Sequence, residues 1–106
     1  MRILFDQGTP APLRHSLVDH VVETAFELGW ATLQNGALIA AAEDAGFQVF
    51  VTTDKNLKYQ QNLDARAISI VVLSTTSWPR IQLAISEVAA AIVSAVPGGY
   101  AEVLVL

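Results

Sequence analysis

The 106-residue chain is 53% hydrophobic and 15% charged, which predicts a single globular domain spanning residues 1–106 and excludes a disordered chain. Its formal net charge of −4 argues against a domain that holds nucleic acid by bulk electrostatic attraction, because such domains are usually basic. The chain has no cysteine, which excludes disulfides and thiolate metal sites, so a cytoplasmic location is the simplest expectation. Its most apolar late run, residues 89–96, is far shorter than the roughly 20 residues needed to cross a bilayer, and no membrane association is expected.

In the first half of the chain, short apolar runs alternate with helix signals. Residues 2–6 predict a strand with both faces mostly apolar, as in the middle of an α/β sheet. Thr9-Pro10 combines a hydroxyl N-cap with a first-turn proline and predicts a short helix. A second strand is expected around Val21-Val22, followed by a loop. Asn35 is expected to cap the next helix, which Gly46 ends.

The second half continues the alternation. The predicted elements are a buried strand at 47–52, a polar helix or turn at 56–62, a buried strand at 68–73, a long helix opened by Ser77-Trp78-Pro79 and ended by Pro97-Gly98-Gly99, and an edge strand at 100–106. The last strand carries an apolar exposed row that could pair with a second copy or another partner chain. Strands that alternate with helices imply right-handed crossovers, so we expect an α/β fold with a mostly parallel central sheet and helices on both faces.

Polar side chains follow two of the buried strands at the point where each strand ends. Asp6 ends the first strand, and Asp54 lies two residues beyond Thr52, where the third strand ends. Because the carboxyl ends of parallel strands meet at one edge of a sheet, we expect Asp6 and Asp54 on the same edge, whatever the strand order. Such a carboxylate pair could bind Mg²⁺ or Mn²⁺, activate a water and neutralise charge on a phosphodiester.

Several other side chains could serve that site. They are Lys55 and Lys58, which suit phosphate contacts, Thr52, Thr53 and Asn56, which could orient a carboxylate or a water, and Glu23, which follows the second strand and could be a third metal ligand. Each has a simpler alternative. An Asp after a strand most often caps a turn or a helix, and the likelier fate of Glu23 is a solvated carboxylate.

Two further residue types have an open interpretation. Trp30 and Trp78 flank loops, where they could stack bases, although a tryptophan that covers the edge of a core is more common. His15 and His20 have no metal-ligand spacing and are expected at the surface or in packing.

Five stretches carry a resemblance to a known family. They are Ile3–Pro10, Gly29-Trp30 followed by Asn35–Leu38, Val51–Leu57, Tyr59–Leu63 and Ile70–Leu73. Together they cover most of the chain in order, and they resemble the small bacterial PIN-like domains, which are related to PIN-domain ribonucleases and VapC-type toxins. The resemblance implies a three-layer α/β/α fold and an acidic pocket that holds Mg²⁺ or Mn²⁺ for RNA hydrolysis. Asp6 and Asp54 would be the catalytic acids and metal ligands, and an antitoxin protein would be the partner.

The chain departs from the family pattern at two positions. Relatives commonly carry an acid at the start of the middle helix, where this chain has Ala37, and many carry one directly after the first Asp, where it has Gln7. Two carboxylates hold a hydrated metal ion weakly, although Asn35, Gln34, Gln7 or Glu23 could complete the shell. Three functions therefore stay open: a toxin ribonuclease, a catalytically silent module that binds a protein or RNA, and a structural role in a larger complex.

Overall fold

The described part of the chain forms a five-stranded parallel sheet. A computed structural model describes residues 1–57 and 66–106. The strands are β1 (Arg2–Phe5), β2 (Val21–Thr24), β3 (Val49–Thr52), β4 (Ser69–Leu73) and β5 (Tyr100–Val103). Their order in the sheet is β2-β1-β3-β4-β5, and every neighbouring pair is parallel. The predicted α/β class with a parallel central sheet is confirmed, and β5 lies at an edge as expected.

Helices cover both faces of this sheet. They are a 3₁₀ helix (Ala11–Ser16) and the α-helices α1 (Asn35–Asp44), α2 (Trp78–Gln82) and α3 (Ile85–Val93). The 3₁₀ helix, α2 and α3 pack on one face through Leu13, Ile81 and Val88, and α1 packs on the other through Leu38 and Ile39. None of the helices in the described ranges is long and apolar enough to cross a membrane.

The central strands are apolar on both faces because both faces are covered. In β3, Val49 and Val51 belong to the core under α3, whereas Phe50 belongs to the core under α1. All three side chains are fully buried. Burying a side chain of this size contributes about 1.5–3 kcal/mol relative to leaving it exposed, so the continuous apolar runs identify the strands that lie inside the sheet.

The long helix predicted after Ser77 is two helices. Its start is as predicted, because the Ser77 hydroxyl accepts a hydrogen bond from the Arg80 N–H at 3.4 Å. The chain then leaves the helical conformation at Ala84, where φ is −118°. Leu83 is 85% exposed while Ala84 is buried. The break lets α2 lie against the 3₁₀ helix and α3 lie against β4 and β5, which one straight helix could not do together.

Two predicted helix caps are wrong. The first helix is a 3₁₀ helix with Pro10 as its N-cap, and α1 has Gln34 as its N-cap; neither cap residue makes a side-chain capping bond. Thr9 and Asn35, which we expected to cap these helices, direct their side chains to Asp6 and Asp54 instead. Most of the helix or turn predicted at 56–62 lies outside the described residues.

Candidate functional site

Asp6 and Asp54 lie at the topological switch point of the sheet, between two neighbouring strands from which the chain continues in opposite directions. β1 and β3 are neighbours, but the chain leaves β1 toward β2 on one side and leaves β3 toward β4 on the other. Phe5 pairs with Val51, and the Asp6 N–H extends the ladder by donating to the Val51 carbonyl at 3.1 Å. In open α/β sheets the crevice at such a switch point is where ligands bind. The structure therefore brings the two predicted aspartates to one edge, as expected.

The Asp6 carboxylate is held by two threonines. Its Oδ1 accepts hydrogen bonds from Thr9, from the backbone N–H at 3.1 Å and from the hydroxyl at 2.7 Å. Its Oδ2 accepts a hydrogen bond from the Thr52 hydroxyl. Thr9 and Thr52 are both buried, and the Thr9 hydroxyl also lies 3.0 Å from the Val51 carbonyl, so contacts with the sheet fix both threonines and they hold the carboxylate in one orientation.

The Asp54 carboxylate is held from α1 and from its own turn. Its Oδ2 accepts a hydrogen bond from the Asn35 side-chain amide at 2.6 Å, and its Oδ1 accepts one from the Asn56 N–H at 2.9 Å. Its backbone N–H donates to the Thr52 hydroxyl at 3.1 Å. The same hydroxyl donates to Asp6 Oδ2, so Thr52 links the two aspartates.

The loop after β1 approaches the Thr53 side chain so closely that a Cβ at position 8 would require this side chain to move. A Cβ built on Gly8 would overlap the Thr53 hydroxyl oxygen and lie 3.8 Å from Asp6 Oδ1. Thr53 is half-buried, and its position in the turn after β3 makes it a packing neighbour of the Asp6 loop. Gln7, beside Gly8, donates from its side-chain amide to the Ala31 carbonyl, so its amide group is tied to a different loop.

Glu23 does not join the aspartate pair. It lies inside β2 beside Leu4, and its carboxylate oxygen is 3.6 Å from the Arg2 guanidinium. Arg2 begins β1, so by strand rise it is about 13 Å from Asp6. Among residues 1–57 and 66–106, no three His, Cys, Asp or Glu side chains are grouped so that they could hold a metal. The prediction of Glu23 as a third ligand is not supported.

The donor set fits one hydrated divalent ion at most. A carboxylate has about four lone-pair positions. At Asp6, Oδ1 uses both of its positions on Thr9 and Oδ2 uses one on Thr52. Each Asp54 oxygen uses one. The remaining positions suit an Mg²⁺ or Mn²⁺ that keeps most of its waters, whereas a two-metal clamp needs more bridging oxygens.

The other predicted site residues lie around the pair. Lys55 and Asn56 are exposed in the turn that carries Asp54, and Lys58 lies outside the described residues. Ala37, where the resemblance to PIN-like domains would place an acid, is exposed in the first turn of α1, two residues after Asn35. The helix dipole would favour an acid at this position.

A cleft of about 870 Å³ opens beside Asp6. Besides Asp6 its lining includes Arg14, His15, Phe26, Glu27 and Trp78. No local sequence pattern connects these residues, because they come from the 3₁₀ helix, the turn after β2 and the start of α2. A smaller cavity of about 140 Å³ lies next to Asp6 as well and is lined by Trp30, Asn35 and Leu38, among others.

The turn after β2 is rigidly built. The Thr24 N–H donates to Glu27 Oε1 at 3.0 Å, and the Glu27 N–H donates to the Thr24 hydroxyl at 3.1 Å, which is a capping box. Arg14 donates to both Glu27 oxygens, at 3.2 and 2.5 Å. Hydrogen bonding to Arg14, then to the Thr24 backbone, lowers the pKa of Glu27 to about 2. The Thr-x-x-Glu spacing was the sequence signal that could have found this turn.

The fold and the site define a parallel α/β protein with a linked aspartate pair at its topological switch point. Comparison with protein-family models, curated proteins and solved structures gives no match to this chain. The resemblance to PIN-like domains therefore stays a prediction.

Proposed function

We propose that this protein is a metal-dependent ribonuclease of the PIN-like kind that hydrolyses RNA phosphodiester bonds. The observation that carries the proposal is the link from Asp6 through the Thr52 hydroxyl to Asp54 at the switch point of the sheet. Two oriented carboxylates at such an edge, one of which (Asp6) lines an open cleft, are oxygen ligands that suit a hydrated Mg²⁺ or Mn²⁺.

In this proposal the chain itself positions the acids and the substrate. Asp6 and Asp54 would hold the ion, which when bound would supply an activated water and neutralise phosphate charge. Thr9 and Thr52 fix the orientation of Asp6, and Asn35 fixes that of Asp54. Such supporting hydrogen bonds typically account for 10- to 100-fold in metal affinity or activity.

Phosphate contacts and the biological setting complete the proposal. Lys55 is exposed next to Asp54, where its ammonium can reach a phosphate. An antitoxin protein as partner and a cytoplasmic location follow from the resemblance to toxin ribonucleases.

A second candidate is a catalytically silent module that binds RNA or a protein. It is favoured by the fact that all four oxygens of the two carboxylates already accept hydrogen bonds from neutral groups. Ala37 stands where the family has an acid, which leaves two carboxylates for the ion.

Titration with Mn²⁺ by calorimetry separates the two candidates. The unmodified protein should bind Mn²⁺ saturably, and the double variant Asp6→Asn, Asp54→Asn should not. Asp44→Asn is the matched control, since it removes an exposed carboxylate at the far end of α1 and should leave Mn²⁺ binding unchanged.

Cleavage of a labelled single-stranded RNA with Mn²⁺ then tests catalysis in the same proteins. Loss of cleavage in the double variant, with retention in Asp44→Asn, supports the ribonuclease. Absence of both Mn²⁺ binding and cleavage in the unmodified protein rejects it and leaves the silent module.

A further inference from the structure

The cleft beside Asp6 is lined by an aromatic side chain that belongs to neither hydrophobic core. Phe26 is 78% exposed and lines the cleft. It lies inside the capping box formed by Thr24 and Glu27, and the Gly29 N–H donates to its carbonyl at 3.1 Å. The backbone that carries this ring is therefore held in place from both sides.

Trp78 lines the same cleft from another element. It is the first residue of α2 and packs partly against the core under α3, so one part of its surface is buried and another part lines the cleft. The hydroxyl of Ser77 caps this helix through Arg80 and fixes its start. A partly buried tryptophan offers a stacking surface of fixed orientation, because its ring cannot rotate without losing its contacts with the core.

Among the described residues, the charged groups in the lining of the cleft are two carboxylates, Asp6 and Glu27, and one guanidinium, Arg14. Arg14 is bound at both nitrogens by Glu27, which cancels its charge locally. His15 is exposed on the same 3₁₀ helix, and Asp6 lies in the same lining. With a chain net charge of −4, phosphate attraction cannot supply most of the affinity here.

We propose that Phe26 and Trp78 form a base-stacking subsite for single-stranded RNA, with His15 beside its backbone, in the cleft that also contains Asp6. This inference rests on the proposed ribonuclease function. Unpaired bases stack on exposed aromatic side chains in proteins that bind single-stranded RNA, and this contact accepts any base because every base has a flat π-face. A cleft of about 870 Å³ accommodates one or two nucleotides and leaves the phosphate near Asp6.

Fluorescence of Trp78 tests the subsite directly. In a Trp30→Phe background Trp78 is the one remaining tryptophan, and a short single-stranded RNA should quench it in the presence of EDTA. Phe26→Ala should weaken RNA binding about tenfold or more, and Phe26→Leu should weaken it nearly as much because it keeps an apolar group but loses the flat ring. Leu104→Ala is the matched control, since Leu104 is an exposed apolar residue (73%) that does not line the cleft.

The salt dependence gives an independent test. One or two phosphate contacts predict a slope of log affinity against log salt no steeper than about −1.4. A much steeper slope, an unchanged affinity in Phe26→Ala, or equal binding of an abasic ribose-phosphate chain would overturn the subsite. The subsite would also be overturned by a Phe26→Ala variant that keeps its RNA affinity and loses binding to a protein partner.

The two proposals fail in different ways. If RNA binds with quenching that depends on Phe26 but is not cleaved with Mn²⁺, the subsite stands and the ribonuclease fails. If RNA is cleaved and Phe26→Ala has unchanged affinity and kcat/KM, the ribonuclease stands and the subsite fails.

Discussion

The hydroxyl of Thr52 donates a hydrogen bond to the carboxylate of Asp6, 46 residues away along the chain. The same hydroxyl accepts a hydrogen bond from the Asp54 N–H at 3.1 Å. Thr52 is fully buried, so water cannot replace either of these hydrogen bonds at its hydroxyl. A single side chain at the end of β3 therefore positions both acids of the candidate site.

Thr52→Val should lower the free energy of unfolding by about 1–3 kcal/mol, because it leaves an Asp6 oxygen and the Asp54 N–H without a partner at nearly constant shape. Thr52→Ser keeps the hydroxyl and should lose only about 1 kcal/mol for one buried methyl. Urea denaturation measures both. Thr32→Val, at an exposed position, is the control and should change stability by less than about 0.5 kcal/mol. Equal losses in Thr52→Val and Thr52→Ser would show that the hydroxyl has no net role.

Gly8→Ala should destabilise the protein by about 1–3 kcal/mol, because its Cβ would overlap the Thr53 hydroxyl. Thr53→Ala removes that hydroxyl and makes room. In the double variant most of the loss from Gly8→Ala should disappear, which a double-mutant cycle from urea denaturation would measure as a coupling energy. Additive losses would mean that Gly8 is needed for another reason.

Ala37→Asp should raise Mn²⁺ affinity by about tenfold, since it adds a third carboxylate in the first turn of α1, the helix whose Asn35 side chain binds Asp54. Ala37→Asn, which is similar in shape and uncharged, should have little effect. Calorimetry measures the affinity, and RNA cleavage with Mn²⁺ should rise in parallel if the chemistry is the one proposed. Unchanged Mn²⁺ affinity in Ala37→Asp would place the ion away from α1.

The ion pair between Glu27 and Arg14 should make stability depend on pH in the acid range. The pKa of Glu27 is lowered from its ordinary value of 4.5 to about 2, so the folded protein binds this proton less readily than the unfolded chain. The ionised Glu27 carboxylate therefore stabilises the folded protein fully above about pH 4.5, and this stabilisation is lost as the pH falls toward 2.

Thermal unfolding followed from pH 6 to pH 2 would measure this effect. Glu27→Gln and Arg14→Gln should each flatten the acid part of the curve relative to the unmodified protein, because each removes one partner of the pair. A curve for Arg14→Gln with the original acid slope would show that the arginine does not set the pKa of Glu27.

Sequence patterns alone identified the strands and the edge where Asp6 and Asp54 meet. Apolar runs in a chain of alternating strands and helices allow a parallel sheet with right-handed crossovers, and in such a sheet all strand ends lie on one edge. The run from Phe47 to Thr52 was therefore enough to place Asp54 on the same edge as Asp6, although β3 itself begins at Val49. That β1 and β3 are neighbours, which brings the two aspartates together, comes from the strand order of the folded sheet.

Only the tertiary structure decided what each polar side chain does there. Thr9 and Asn35 have the local signature of helix caps, yet the Thr9 side chain donates to Asp6 and the Asn35 side chain donates to Asp54. The packing of the folded chain, including the register of β1 with β3, places a carboxylate within reach of each, and a carboxylate is a stronger acceptor than a neutral group. The break between α2 and α3 at Leu83–Ala84 contains no glycine or proline from which the sequence could predict it. It results from the packing of α2 and α3 on different elements. The cleft of Arg14, Phe26 and Trp78 likewise joins residues far apart in the chain, which no local pattern relates.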